Sequence, residues 1–128
     1  MWVGHTVHVE LIFHIAEAAE WNEALAEGDY RRSTLGYTLD QVGFIHCSRR
    51  DQVEAVANAV YRDLSDLVLL LIDREKVHAE IRDESLEGGS DLFPHIYGPL
   101  NPDAVVDVIP LHPGPDGEYS FTPPATGQ

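Results

Sequence analysis

Residues 7–15, VHVELIFHI, alternate along the chain. Val7, Val9, Leu11, Phe13 and Ile15 are apolar, and His8, Glu10, Ile12 and His14 stand between them. A period of two predicts a strand, with His14 near its end on the face opposite the main apolar row. The period then changes. Ala18, Trp21, Ala24 and Leu25 recur at helical spacing, and Gly28 supplies a stop. Residues 30–42 are irregular and contain Gly36, which predicts a loop over the sheet. GFIHCS, residues 43–48, reads as a short strand. Its alternation places Phe44, His46 and Ser48 on one face and Ile45 and Cys47 on the other. Ser48 is positioned to cap the next helix, with Asp51 three residues on. Val53, Val56, Ala57 and Val60 give that helix one apolar face.

Residues 67–72, LVLLLI, are apolar throughout and predict a strand buried on both faces. Residues 79–84 predict another strand, SLEGGSD an acidic loop, and residues 104–109 a further strand. Pro94, Pro99 and Pro102 forbid a regular helix between them. FPHIYGPLN is therefore expected as a stiff loop presenting His95 and Tyr97, where Gly98 lets the backbone turn or approach another group closely. Asp116-Gly117 predicts a tight turn between short edge strands. The fold class that follows is α+β, in one domain spanning residues 1–128. Its core covers about residues 7–121, and residues 122–128 form a frayed tail.

Length agrees: 128 residues hold one core and are too few for two ordinary domains. No apolar run approaches the roughly 20 residues of a membrane helix, and no signal peptide is recognisable at the N-terminus. One cysteine excludes an internal disulfide. A cytoplasmic protein without a membrane partner is the expectation. The formal net charge of −14 argues against long nucleic acid as a partner. Four of the eight basic residues, Arg31, Arg32, Arg49 and Arg50, flank GFIHCS on both sides. They either pair with surplus carboxylates or form a local anion site for a small phosphorylated ligand.

Of the seven histidines, His14, His46 and His95 stand in or beside apolar stretches. Their spacing does not suit a metal, and His46 and Cys47, adjacent on a strand, point to opposite faces. No metal site is expected. Cys47 shares a face with Ile45 and reads as a buried structural cysteine. His46, Ser48, Arg49 and the N-terminus of the following helix compose an anion-binding corner. Glu84, at a strand end before the glycine loop, is the best single carboxylate for acid–base work.

FHIAEAAEWNEALAEGDYRRSTLG, GFIHCSRRDQVEAVANAVY, LVLLLID and LFPHIYGPLNPDAVVDVIPL together resemble the bacterial family called domain of unknown function 952. FIHCS and FPHIYGPLN are the most specific strings. The resemblance spans about residues 12–121. It implies an ADP-ribosyltransferase-like fold, with a split, strongly bent sheet, two main helices and NAD as the cofactor in members that use it. By the same resemblance, His14 is similar to the early-strand histidine of RNA 2′-phosphotransferases. His46 with Ser48 is similar to their later His-Leu-Ser strand end, and Tyr97 takes the part of an aromatic stacking on nicotinamide. The glutamate of many ADP-ribosyltransferases has no motif-level counterpart, and Glu84 is the candidate for it. The expected site therefore has His46 and Glu84 as catalytic residues. His14, Ser48, Arg49, His95 and Tyr97 would bind NAD or an ADP-ribose-like nucleotide. The alternative is a non-catalytic module for a small anion or a protein partner.

Overall fold

The structure, a computed structural model, describes residues 10–34, 36–62, 64–85, 89 and 91–120. The expected strand start at residues 7–9 and the tail at 122–128 lie outside them. Six strands and three α-helices follow in the order β1 (Leu11–Glu17), α1 (Ala18–Glu27), α2 (Leu39–Val42), β2 (Ile45–His46), α3 (Val53–Val60), β3 (Leu67–Asp73), β4 (Glu80–Glu84), β5 (Phe93–Tyr97) and β6 (Val105–Leu111). The class is α+β. The strands make two antiparallel three-stranded sheets, one ordered β1-β3-β6 and the other β2-β5-β4.

In the first sheet β1 and β3 are buried on both faces. Phe13, Ile15, Leu67, Leu69 and Leu71 pack against Val53 and Ala57 of α3 and against Tyr119. Ile12, Ala16, Leu70 and Ile72 face the other way, onto Trp21 and Ala24 of α1 and onto Ile45 and Ile96 of the second sheet. A strand between two apolar layers needs no polar row. LVLLLI forms the expected two-sided strand for this reason, and His14 sits in core although it is off the main apolar row. Cys47 is buried in the same layer as Ile45, and burial pushes its thiol pKa up, away from thiolate chemistry.

Residues 45–48 join the sheets. Ile45 and His46 pair with Ile96 and His95 of β5, and the Cys47 N–H donates to the Pro94 carbonyl at 2.9 Å. One residue later the chain changes partner. Ser48 donates to Phe13 at 2.7 Å, and its carbonyl accepts from the Phe13 N–H at 2.9 Å.

Four local expectations are corrected. The stretch expected as a stiff proline loop, FPHIY, is β5, the central strand of its sheet. In an antiparallel strand the N and O of one residue point the same way. The Pro94 carbonyl faces Cys47, so its missing N–H falls beyond the paired residues of β2 and breaks no bond within Ile45–His46. Residues 30–42 are not all loop, because α2 closes them. Thr38 accepts from the Gln41 N–H while the Gln41 side chain accepts from the Thr38 N–H, a capping box three residues apart. Ser48 does not cap α3. That helix begins at Val53, and Gln52 before it accepts from the Arg49 N–H through its side chain at 2.8 Å. The turn at Asp116-Gly117 exists, with the Gly114 N–H donating to Glu118 at 2.8 Å, but among the described residues it joins no strands.

Gly28 ends α1 in the left-handed region at φ 92°, as its position predicts. Gly98 serves close approach: a Cβ there would stand 2.8 Å from the Ala79 Cβ, so what it approaches is the residue leading into β4. Gly98→Ala is expected to lower unfolding free energy by about 1–3 kcal/mol, with part of the loss recovered in Gly98→Ala/Ala79→Gly. A urea-unfolding cycle on the two variants measures this, and additive losses would show that the contact is not the cause.

Candidate functional site

Alternation across the second sheet builds the site. Ile45 of β2 and Ile96 of β5 point into the core, with Ile81 of β4 packed against it. The residues between them point outward: Phe44 and His46, then Phe93, His95 and Tyr97, then Arg82 and Glu84. Register sets the pairs. His46 lies opposite His95, His95 opposite Arg82, and Phe93 opposite Glu84.

These side chains form a continuous polar network. His95 Nδ1 lies 3.0 Å from Glu84 Oε2, and the Tyr97 hydroxyl donates a short hydrogen bond to the same oxygen. The other nitrogen of His95, Nε2, lies 3.2 Å from His46 Nδ1. A carboxylate only accepts, so His95 carries its proton on Nδ1. With its second nitrogen unprotonated, His95 accepts at Nε2, His46 donates from Nδ1, and His46 Nε2 is left with its lone pair. Among the described residues that nitrogen has no partner.

Aromatic rings hold the network in place. Phe44 stacks on His95 at 4.1 Å between centroids, and Phe93 lies 5.1 Å from the His46 ring. The Arg82 guanidinium stands 4.3 Å from the centre of the Tyr97 ring, which it covers as a cation over a π face. The electrostatics follow. The Tyr97 hydroxyl first, then the His95 N–H, holds the Glu84 carboxyl below the ordinary carboxylate range. The same bond raises the Tyr97 phenol. Burial, and then the neighbouring His95 ring, lowers His46 to about 4.

His46 is partly open and lines a groove of about 390 Å³ beside α3. Arg49, Asp51, Gln52 and Asp91 make its polar end with His46. Ala55, Val56, Ala59, Val60 and Phe93 make an apolar wall.

The expected residues divide into those the sheet gathers and those it does not. His46, Glu84, His95 and Tyr97 share one network, and Arg49 stands at the groove. His14 lies apart, buried at 2% exposure. Its Nδ1–H donates to the His46 carbonyl at 2.6 Å, and its Nε2 accepts from the Tyr30 hydroxyl at 2.9 Å. Both ring nitrogens are occupied, so His14 braces the backbone of His46 and has no lone pair for a ribose. Ser48 is 4% exposed and belongs to the seam with β1. The arginines do not converge. Arg31 and Arg32 line a different cleft and pair with Asp29, Glu20 and Glu23, while Arg49 pairs with Asp51 at 3.5 Å and donates to the Leu92 carbonyl. Alternation along the sequence puts Phe44 on the face of His46, but nothing in the sequence marks Phe93, Tyr30 or Arg82. Cross-strand register brings Phe93 and Arg82 to the histidines, and Tyr30 reaches His14 through its hydroxyl.

Residues 15–108 match the family model described as Protein of unknown function (DUF952). The chain belongs to this family. The crystal structure of CC0527 from Caulobacter crescentus is similar, with 32% identity and a TM-score of 0.75 over 86% of this chain and 93% of that one. The solution NMR structure of CC0527 gives a TM-score of 0.72 at the same 32% identity, over 85% and 90%. No curated protein matches the chain. Among the described residues no group of three or more histidine, cysteine, aspartate or glutamate side chains is placed to hold a metal ion, and no helix is long and apolar enough to cross a membrane.

Burial lowers His14 to about 4 as well, outweighing its bond to the His46 carbonyl. In the unfolded chain both histidines return to about 6.5. The unfolded state therefore binds more protons between those values, and stability rises with pH across that window. It is complete above about pH 6.5 and is lost as pH falls toward 4. Urea unfolding at pH 6.8 and 5.0 is expected to show a loss on the order of 2 kcal/mol from His14 alone, with His46 adding in the same direction. A flat profile between these pH values would show that the histidines are not held neutral.

Proposed function

We propose that the protein is a small-molecule enzyme whose proton-transfer centre is His46, backed by His95 and Glu84. One observation carries this reading: partly open His46 spends Nδ1 on His95, has no partner for Nε2 among the described residues, and lines the groove. An isolated base with a pKa near 4 would be weak at neutral pH. The relay changes what that base can do. When His46 Nε2 takes a proton from a ligand, its Nδ1 proton can pass to His95 Nε2. The positive charge then rests on His95, directly against the Glu84 carboxylate, and not on a desolvated His46. Tyr97 and Phe44 keep the carboxylate and the His95 ring in position for this. A non-catalytic binding module needs only an acceptor at His46. The carboxylate two bonds behind it is what favours proton transfer.

The resemblance to ADP-ribosyltransferases would narrow the ligand to NAD or an ADP-ribose-like nucleotide. His46 at a strand end and Glu84 in the same network support that narrower form. His14, with both nitrogens bonded inside the protein, and Tyr97, whose hydroxyl is bound to Glu84, do not take the parts it gives them. The proton-transfer centre is accordingly the firmer statement, with the ligand left to the shape and charge of the groove.

Imidazole ¹⁵N spectra at neutral pH test the relay directly. His46 is expected to be protonated on Nδ1 and bare on Nε2, and His95 likewise. Diethyl pyrocarbonate should acylate His46, with the rate, followed by peptide mass spectrometry, falling on the order of tenfold or more in Glu84→Gln. A protonated His46 Nε2, or an acylation rate unmoved by Glu84→Gln, would remove the basis for the proposal.

A further inference from the structure

The groove beside α3 has its own chemistry, and we infer that it takes a small uncharged amphipathic molecule, with a hydrogen-donating head such as a hydroxyl at His46 and an apolar body along α3. This inference rests on His46 being the reactive end of the groove, and it adds the class of ligand.

Charge makes the first part of the argument. Among the described residues the groove is lined by one guanidinium, Arg49, and by two carboxylates, Asp51 and Asp91. The guanidinium is already engaged by Asp51 and by the Leu92 carbonyl. A pyrophosphate entering there would meet more negative than positive charge, inside a chain of net charge −14. His46, held neutral, adds no cation at neutral pH. Beside these carboxylates the polar end offers a neutral acceptor, His46 Nε2, suited to a neutral donor or to the proton of an attacking water.

The wall makes the second part. An eight-residue helix on a core needs one apolar stripe, and in α3 Val53 and Ala57 are buried in that role. Ala55, Ala59 and Val60 are apolar as well but lie toward solvent, Val60 at 43% exposure. All three line the groove together with half-buried Val56 and with Phe93. The Phe93 ring lies 5.1 Å from the His46 ring, so the apolar lining includes a neighbour of the reactive imidazole. A ligand with an apolar body would remove this strip and itself from water together.

The test titrates ¹⁵N-labelled protein with 1-hexanol and, separately, with ADP-ribose. Hexanol is expected to shift the amides of Ala55, Ala59, Val60 and Phe93, and Val60→Asp to weaken its binding on the order of tenfold; ADP-ribose is expected to leave those amides in place. Movement by ADP-ribose but not hexanol, or by neither, would overturn the inference. A second readout uses p-nitrophenyl acetate and hexanoate as probes. Water attacks the ester carbonyl, its proton goes to His46 Nε2, and the bond to nitrophenolate breaks. The expected kcat/KM is about tenfold higher for hexanoate, with both activities lost in His46→Ala. A series that depends on His46 but is flat with chain length would sink the ligand class alone. Shifts by hexanol together with esterolysis indifferent to His46→Ala would sink the proton-transfer reading and leave the ligand class standing.

Discussion

Four residues hydrogen-bond to two sheets. Ile45, His46 and Cys47 pair with β5, and Ser48 pairs with Phe13 of β1. Backbone groups this deeply buried must be paired, so the change of partner between Cys47 and Ser48 fixes where one sheet stands against the other. It also fixes which way His46 points. Ile45 and Cys47 must enter the core between the sheets, and the alternation of a strand then turns His46 outward, onto the face it shares with His95. The site is a consequence of the seam. The bond from His14 to the His46 carbonyl fastens the same point from the neighbouring strand β1.

A second consequence is electrostatic. The layers that hide Ile45 and Ile96 also exclude water from His14 and most of it from His46, and desolvation keeps both imidazoles neutral. The two histidines then diverge. His14 is enclosed, bonded at both nitrogens, and does mechanical work. His46 is bonded at one nitrogen and open at the other. Glu84, the carboxylate that His95 and Tyr97 share, touches neither of them directly. It reaches His46 through His95, which lets a charge created at the groove settle away from the apolar wall.

Much of this was legible along the chain. The alternation of residues 11–15, the apolar run of β3, the stop at Gly28 and the inward turn of Cys47 all follow from local periods and from the dominance of apolar burial. FPHIY was misread because three prolines in nine residues suggest a loop. A proline is tolerated in a strand where its missing donor falls past the end of the ladder, and where that ladder ends is a property of β2, nearly fifty residues earlier. The split of the arginines is similar. Arg31 and Arg49 are near GFIHCS in sequence, but the carboxylates that occupy them, Asp29 and Asp51, line different clefts.

The sequence by itself determined which residues alternate, which face of the 43–48 strand carries His46, and that Cys47 packs inward, because these depend on neighbours within a few positions. Tertiary structure alone decided that His46 meets His95, that Glu84 stands behind them, and that His14 is a brace and not a ligand-binding group. Those contacts depend on strand register. Register is set by the summed fit of two sheets around one core, and a one-residue slip would have turned every one of these side chains to the other face.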